Sequence, residues 1–223
     1  MTRKMQSGFT LIEIAIVLVI IGLILGGVLK GHELIDNAKV KNLANDFRNI
    51  PVYLYGYQDR FRATPGDDAA AATHLTGGVV ASGSGQTPGN GVIEGNWNSA
   101  NPADESYLFW QHVRLAGFAA GSTTPGASNY LPVNAMGGAI GIQSNSSTNP
   151  PIKTTSGSAV RGSYIICSSG ISGKLAKQLD QQLDDGDSGN GAMLAAPVAG
   201  YGIGAAAAKT VDDAGVYVVC MGV

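Results

Sequence analysis

Charged side chains are scarce in this sequence. Only 13% of its 223 residues are Asp, Glu, Lys or Arg, against roughly 25% in a typical soluble domain. The formal net charge is −2, so the chain lacks the broadly basic surface with which many proteins bind nucleic acid. We therefore expect no nucleic-acid partner.

Sequence motifs for catalysis are missing as well. The three histidines, His32, His74 and His112, are scattered and do not have the spacing of metal ligands. His112 falls on a predicted helix, where we expect a solvated or capping role. Although glycine contributes 32 residues, no glycine-rich run leads into the Lys-Ser/Thr pair of a phosphate-binding loop. The sequence therefore predicts a protein that is not an enzyme.

Cysteine is limited to two residues, Cys167 and Cys220, each in an apolar and β-branched run. In an oxidising compartment the two thiols would close a loop of about fifty residues and stabilise the fold by about 4 kcal/mol. The alternative is a pair of buried free thiols. We predict the disulfide, because the N-terminal segment described next indicates export.

A long apolar run occupies residues 9–29, and its only charged residue is Glu13. As a helix rising about 1.5 Å per residue, this run spans about 30 Å, the thickness of a bilayer core. A short polar segment with Arg3 and Lys4 precedes it. A secretory signal has a shorter apolar region that ends in a small-x-small cleavage site. The run therefore predicts a membrane-spanning helix, for which a plain anchor is the simplest interpretation.

Glu13 distinguishes this run from a plain anchor. A carboxylate within a membrane span costs about 3 kcal/mol or more at the centre, and it usually marks a functional position. Glu13 is the fifth residue after Gly8. If the chain were cut after Gly8, the new amine of Phe9 in one subunit would be neutralised by Glu13 of a neighbour. Such a pair would set the register between subunits.

The segment Gly8-Phe9-Thr10-Leu11-Ile12-Glu13 resembles the prepilin-type cleavage and methylation motif of type IV pilins and type II secretion pseudopilins. The resemblance implies that a membrane prepilin peptidase cuts after Gly8 and N-methylates Phe9. It also implies that Glu13 is the family's assembly residue. On this interpretation, residues 1–8 are a leader peptide and residues 9–29 are a transmembrane or filament-core helix.

The helical pattern continues beyond the apolar run. Apolar residues recur at steps of three and four, which is typical of one face of an α-helix. These positions are Leu43, Phe47, Ile50, Leu54, Tyr57 and Phe61. We predict an amphipathic continuation of the helix over residues 30–62, interrupted by a kink at Pro51, followed by a globular head over residues 63–223.

Two shorter helices are predicted in the head. Asn101 followed by Pro102 has the chemistry of a helix start, with an N-cap residue and a proline at the first helical position. Gly117 is expected to end this helix. Ser172 is expected to cap another, which ends by Gly186.

Strands are predicted from β-branched and apolar content at residues 164–167 and 216–220, and a short strand is predicted near 139–142. Trp97 is expected to anchor a long loop. The predicted fold class is α+β, with a long N-terminal helix, half transmembrane and half amphipathic, packed on a small antiparallel sheet with long loops.

One acidic stretch has the composition of a cation site. Asp184, Asp185, Asp187 and Asn190 place oxygen ligands close together after a predicted helix, as a hard cation such as Ca²⁺ requires. The spacing is not that of an EF-hand. A polar helix end with solvated acids is the alternative, and no other cofactor is expected.

The resemblance implies a structural role. We expect a pilin or pilin-like subunit of a type IV pilus-type filament, held first in the inner membrane with a periplasmic head and then in a periplasmic or cell-surface filament. Its expected partners are the prepilin peptidase, copies of itself, other pilins and an inner-membrane assembly platform. The alternatives are a type II secretion pseudopilin and a membrane-anchored minor pilin or adhesin that acts as a binding module.

Overall fold

The structure is a computed structural model that describes residues 10–145 and 149–223. Within these residues the chain forms four helices and six strands, which confirms the predicted α+β class. The chain divides into two compact units, Met1–Ala38 and Lys39–Val223.

The first helix, α1, runs from Leu11 to Phe61 and belongs to both units. In its apolar part, an 18-residue window has a mean hydropathy of 2.9 and none of it is buried. Among the described residues, α1 alone is long and apolar enough to cross a membrane, judged by length and composition.

From Lys39 onward, α1 contributes one face to the core of the head. The apolar stripe predicted from the sequence is buried, except that Phe61 is only half-buried. The buried residues are Val40, Leu43, Ala44, Phe47, Ile50, Leu54 and Tyr57. The helix continues on both sides of Pro51, because burial of this stripe offsets the backbone hydrogen bond that a proline cannot donate.

The head contains a four-stranded antiparallel sheet and a separate two-residue parallel pair. The strands are β1 (Ile140–Ser144), β2 (Ile152–Lys153), β3 (Tyr164–Ser172), β4 (Met193–Pro197), β5 (Ala205–Ala206) and β6 (Val216–Gly222). The sheet order is β1-β3-β6-β4, whereas β2 pairs with β5. The predicted strands correspond to β1, β3 and β6, and β4 was not predicted.

Both faces of the sheet are covered, because successive side chains of a strand point to opposite sides. Ile166 and Val219 pack in the same apolar cluster as Phe47 of α1. Their neighbours Ile165 and Val218 pack in a second cluster. The sheet therefore separates two cores within the head.

Three shorter helices complete the head: α2 (Ala71–His74), α3 (Glu105–Leu115) and α4 (Gly173–Leu183). The helix expected to start at Asn101 begins later, with Asp104 as N-cap. Asn101 forms a turn instead, in which its Oδ1 accepts the Ala103 amide at 3.2 Å. The helix α4 begins where it was predicted, with Ser172 at its N-cap position, although the Ser172 side chain makes no capping hydrogen bond.

Burial of α3 is nearly complete. Every residue from Glu105 to Arg114 is buried, so this helix lies inside the head rather than on its surface. The expected solvated or capping role of His112 is therefore wrong, because its side chain is fully buried.

Candidate functional sites in the N-terminal segment and the head

Gly8 and Phe9, the residues of the predicted cleavage site, lie outside the described residues. The description begins at Thr10, directly before α1. Glu13 is described and exposed in this chain.

Thr10 and Glu13 cap the start of α1 reciprocally. The Thr10 amide and the Thr10 hydroxyl donate to Glu13 Oε2 at 2.7 and 2.8 Å. The Glu13 amide donates to Thr10 Oγ1 at 3.3 Å. This arrangement is a capping box, which satisfies amides that the helix itself leaves without partners. Its signal was present in the sequence as Thr-x-x-Glu, but the sequence prediction assigned Glu13 only to charge pairing.

The apolar run is followed by charged residues on α1. Lys30 Nζ lies 2.8 Å from Glu33 Oε2 in an exposed pair three residues apart. Exposed pairs of this kind contribute little to stability, about 0.3–0.5 kcal/mol. Their presence here marks the end of the segment that is apolar enough to enter a bilayer.

Cys167 and Cys220 form a disulfide. The two residues are opposite each other in the antiparallel pairing of β3 with β6, and their Cα atoms are 4.0 Å apart. Both are fully buried, on the sheet face against which Trp97 packs. Trp97 is anchored as expected, and its indole N–H donates to the Tyr201 hydroxyl at 3.0 Å.

Two buried acids hold the turn that follows α1. Asp67 accepts hydrogen bonds from the amides of Gly89, Asn90 and Gly91 at 2.6 to 3.2 Å. Burial raises the pKa of Asp67 against the effect of these amides. The carboxylate thereby ties a long glycine-rich loop to the end of the helix.

Asp68 has a different set of partners. Its Oδ2 accepts the Tyr57 hydroxyl at 2.7 Å and lies 2.7 Å from His74 Nδ1. Burial alone would raise the pKa of Asp68, but the hydrogen bonds from His74 and Tyr57 hold it below its usual value. This network joins α1 to α2.

His112 is held as a neutral ring. The Gly66 amide donates to Nδ1 at 2.9 Å, so the proton resides on Nε2, which donates to the Val79 carbonyl at 2.8 Å. Burial lowers the pKa of His112. With both ring nitrogens engaged and no approach to solvent, His112 has a structural role.

Glu105 is the most strongly perturbed carboxyl group of the head. It is fully buried, its Oε2 accepts the Glu94 amide at 2.7 Å, and its Oε1 has no hydrogen-bond partner. Burial, together with the nearby charges of Asp67, Glu94 and Asp104, raises the pKa of Glu105 to about 7, although the Glu94 amide opposes the shift. The sequence offered no signal for it, because its burial depends on the packing of α3.

The acidic stretch after α4 contains the four residues that were predicted to bind a cation. Asp187 Oδ2 accepts a hydrogen bond from Asn190 Nδ2 at 3.0 Å, so two of the predicted ligands are hydrogen-bonded to each other. Asp184 and Asp185 instead lie beside Asp180 of α4, and one carboxylate oxygen of each of the three is within 4.8 Å of the others. The sequence analysis did not include Asp180, which lies in the last turn of α4, four residues before the C-cap residue Asp184.

Asp180 is buried, and this burial raises its pKa. The charges of Asp184 and Asp185 act in the same direction, whereas the Ser188 hydroxyl and the Gly186 amide favour the ionised form. Three carboxyl groups so close together repel one another when ionised.

Comparison with known proteins bears on the N-terminal segment alone. Residues 3–29 match the family model of the prokaryotic N-terminal methylation motif. No curated protein and no solved structure matches the chain. The match covers the predicted cleavage site, Glu13 and the apolar run, and it implies processing by a prepilin peptidase and assembly with other pilins. The chain therefore carries, at residues 3–29, the N-terminal signature of the type IV pilins and pseudopilins.

Proposed function

We propose that this chain is a structural subunit of a type IV pilus-type filament, cleaved after Gly8, N-methylated at Phe9 and assembled through its apolar helix. The matched motif points to a structural protein rather than an enzyme. An apolar helix of membrane-spanning length supports anchoring in the membrane before assembly.

The observation that carries the proposal is the position of Glu13, the one carboxylate within the apolar run 9–29. In a filament core that excludes water, this charge needs a partner. The Phe9 amine of a neighbouring subunit, with a reference pKa of about 7.7 to 8.0, is mostly cationic at neutral pH. Opposite charges about 4 Å apart attract by about 4 kcal/mol at an effective dielectric of 20. Desolvation offsets much of this, so the pair serves mainly to set register.

The capping box allows the charge of Glu13 to be separated from its role at the helix start. Glu13→Ala removes both the charge and the cap. Glu13→Gln removes the charge but keeps a side chain that is equally suited to the cap. Thr10→Val removes the hydroxyl of the cap and keeps the charge. We expect both Glu13 variants to be depleted from filaments and Thr10→Val to assemble.

Immunoblots of sheared filaments and of membranes measure assembly and insertion separately. Mass spectrometry of the mature chain is expected to find N-methylated Phe9 at its start in all three variants. A mature chain that still begins at Met1, or that begins beyond Leu29, would contradict the pilin assignment. Normal assembly of Glu13→Gln together with loss of Thr10→Val would show that the cap matters and the charge pair does not.

The place of recovery distinguishes the kinds of filament. A major pilin dominates sheared cell-surface filaments, and a tip adhesin is present in them only in trace amounts. A type II secretion pseudopilin remains in the periplasm and is absent from the sheared fraction. Fractionation with an antibody against the head, residues 63–223, tells these apart.

A further inference from the structure

A pocket in the head lies between α1 and the end of α3. Its volume is about 210 Å³, below the range of roughly 300–1,000 Å³ that holds drug-sized ligands, so it suits a small molecule. Asp46 of α1 and Arg114 of α3 line it together with an apolar wall, which consists of Ile50, Trp110, Pro132, Val133 and Ile140. An apolar wall with a few charged groups is the usual composition of a ligand site.

Asp46 is a half-buried acid without a partner. Within the described part of the chain, its carboxylate accepts no hydrogen bond and forms no ion pair. Burial raises the pKa of Asp46, because no donor or positive charge nearby opposes it. A ligand that brings a positive charge would therefore stabilise this carboxylate.

Arg114 is fixed in place, but one of its nitrogens is unused. The residue is only 8% exposed. Its Nε donates to the Ala120 carbonyl at 3.1 Å, and Nη1 donates to the carbonyls of Ser122 and Tyr130 at 2.9 and 2.6 Å. Nη2 has no acceptor among the described residues and is not one of their buried unpaired atoms, so it reaches the surface. A ligand that brings a negative charge can bind there.

We propose that this pocket binds a small zwitterionic amino acid with an apolar side chain. Its ammonium group binds the carboxylate of Asp46, and its carboxylate accepts hydrogen bonds from Nη2 of Arg114. Its side chain packs against the apolar wall beside Trp110.

The two charges of the pocket select for a zwitterion. Asp46 and Arg114 line the same pocket but do not form an ion pair with each other, so a ligand can lie between them. A purely anionic ligand would be repelled by Asp46, and a purely cationic one by Arg114. Binding uses residues of the head alone and is independent of filament assembly.

Calorimetric titration of the full chain in detergent tests the pocket, with L-leucine as the probe. We expect one molecule of L-leucine to bind per chain. Two analogues separate its charges, since 4-methylpentanoate lacks the ammonium group and 3-methylbutylamine lacks the carboxylate. Each is expected to bind wild type at least about tenfold more weakly than L-leucine, because it loses the hydrogen bonds to one charged group.

Two variants locate the binding. Asp46→Asn keeps the shape of the side chain and is expected to weaken L-leucine binding at least about tenfold. The same variant is expected not to weaken binding of 4-methylpentanoate, which has no ammonium group for Asp46 to bind. Asp59→Asn removes an exposed acid of the same helix outside the pocket, and it is expected to bind L-leucine like wild type.

Three results would overturn the proposal. The first is the absence of binding by wild type up to about 10 mM L-leucine, well above a millimolar dissociation constant. The second is wild-type affinity for L-leucine in Asp46→Asn. The third is binding of either analogue to wild type as tightly as L-leucine. The comparison of the three probes needs wild type alone, so it decides the matter even if Asp46→Asn fails to fold.

Discussion

Leu18 and Leu54 belong to the same helix and have opposite surroundings. Leu18, in the first unit, is 64% exposed, whereas Leu54, in the second, is completely buried. The second unit provides partners for its own apolar side chains, whereas the first unit, over its described residues, does not. Exposed apolar surface on this scale marks contact with a membrane or another protein. The N-terminal unit therefore depends on an environment outside the chain, while the stability of the head is contained within it.

The disulfide is expected to have the largest effect on the head. Replacing Cys167 and Cys220 together by serine removes a cross-link between residues separated by 53 positions, which costs about 4 kcal/mol by loop entropy. Urea unfolding followed by tryptophan fluorescence measures this, because Trp97 and Trp110 are both buried in the head.

Membrane association of the double serine variant is expected to remain normal, since the N-terminal unit contains neither cysteine. Alkylation of native, non-reduced protein tests directly whether the disulfide is present. Two freely reacting thiols in wild type would contradict the disulfide.

Leu54→Ala and Leu18→Ala form a matched pair within α1. Leu54→Ala leaves a cavity in the core and is expected to lower the free energy of unfolding of the head by about 3 kcal/mol. Leu18→Ala is expected to change it by less than about 0.5 kcal/mol. The same urea titration, in one detergent for both variants, measures the difference. Equal destabilisation by the two substitutions would show that the buried Leu54 contributes no more to stability than the exposed Leu18.

The raised pKa of Glu105 predicts that the stability of the head depends on pH. Its pKa is about 7 in the folded chain against an ordinary value of 4.5, so the folded state binds more protons than the unfolded state between these values. The resulting contribution to stability is full below about pH 4.5 and is lost as the pH rises through about 7.

Glu105→Gln resembles the protonated acid and tests this directly. We expect the variant to match wild type near pH 4 and to exceed it at pH 8 by on the order of 2 kcal/mol. Urea midpoints at the two pH values measure the effect. A constant difference between variant and wild type across this range would refute the raised pKa.

Much of the fold was predictable because its signals are local. The stripe from Leu43 to Tyr57, the strands β3 and β6, and the helix α4 all follow from periodicity or β-branched content over a few residues. By contrast, β4 is short and rich in alanine, and it is a strand because its backbone pairs with β6. The late start of α3 likewise depends on a hydrogen bond from the Glu105 amide to Gln86, distant in sequence.

Among the candidate sites, too, some features follow from local sequence signals and others depend on tertiary packing. The sequence by itself determined the motif at residues 3–29 and the single carboxylate Glu13, since length, hydropathy and residue order are sufficient there. Only the tertiary structure decided that His112, Glu105 and Asp180 are buried. The physical reason is that burial arises from contacts between segments distant in sequence, which no local pattern records.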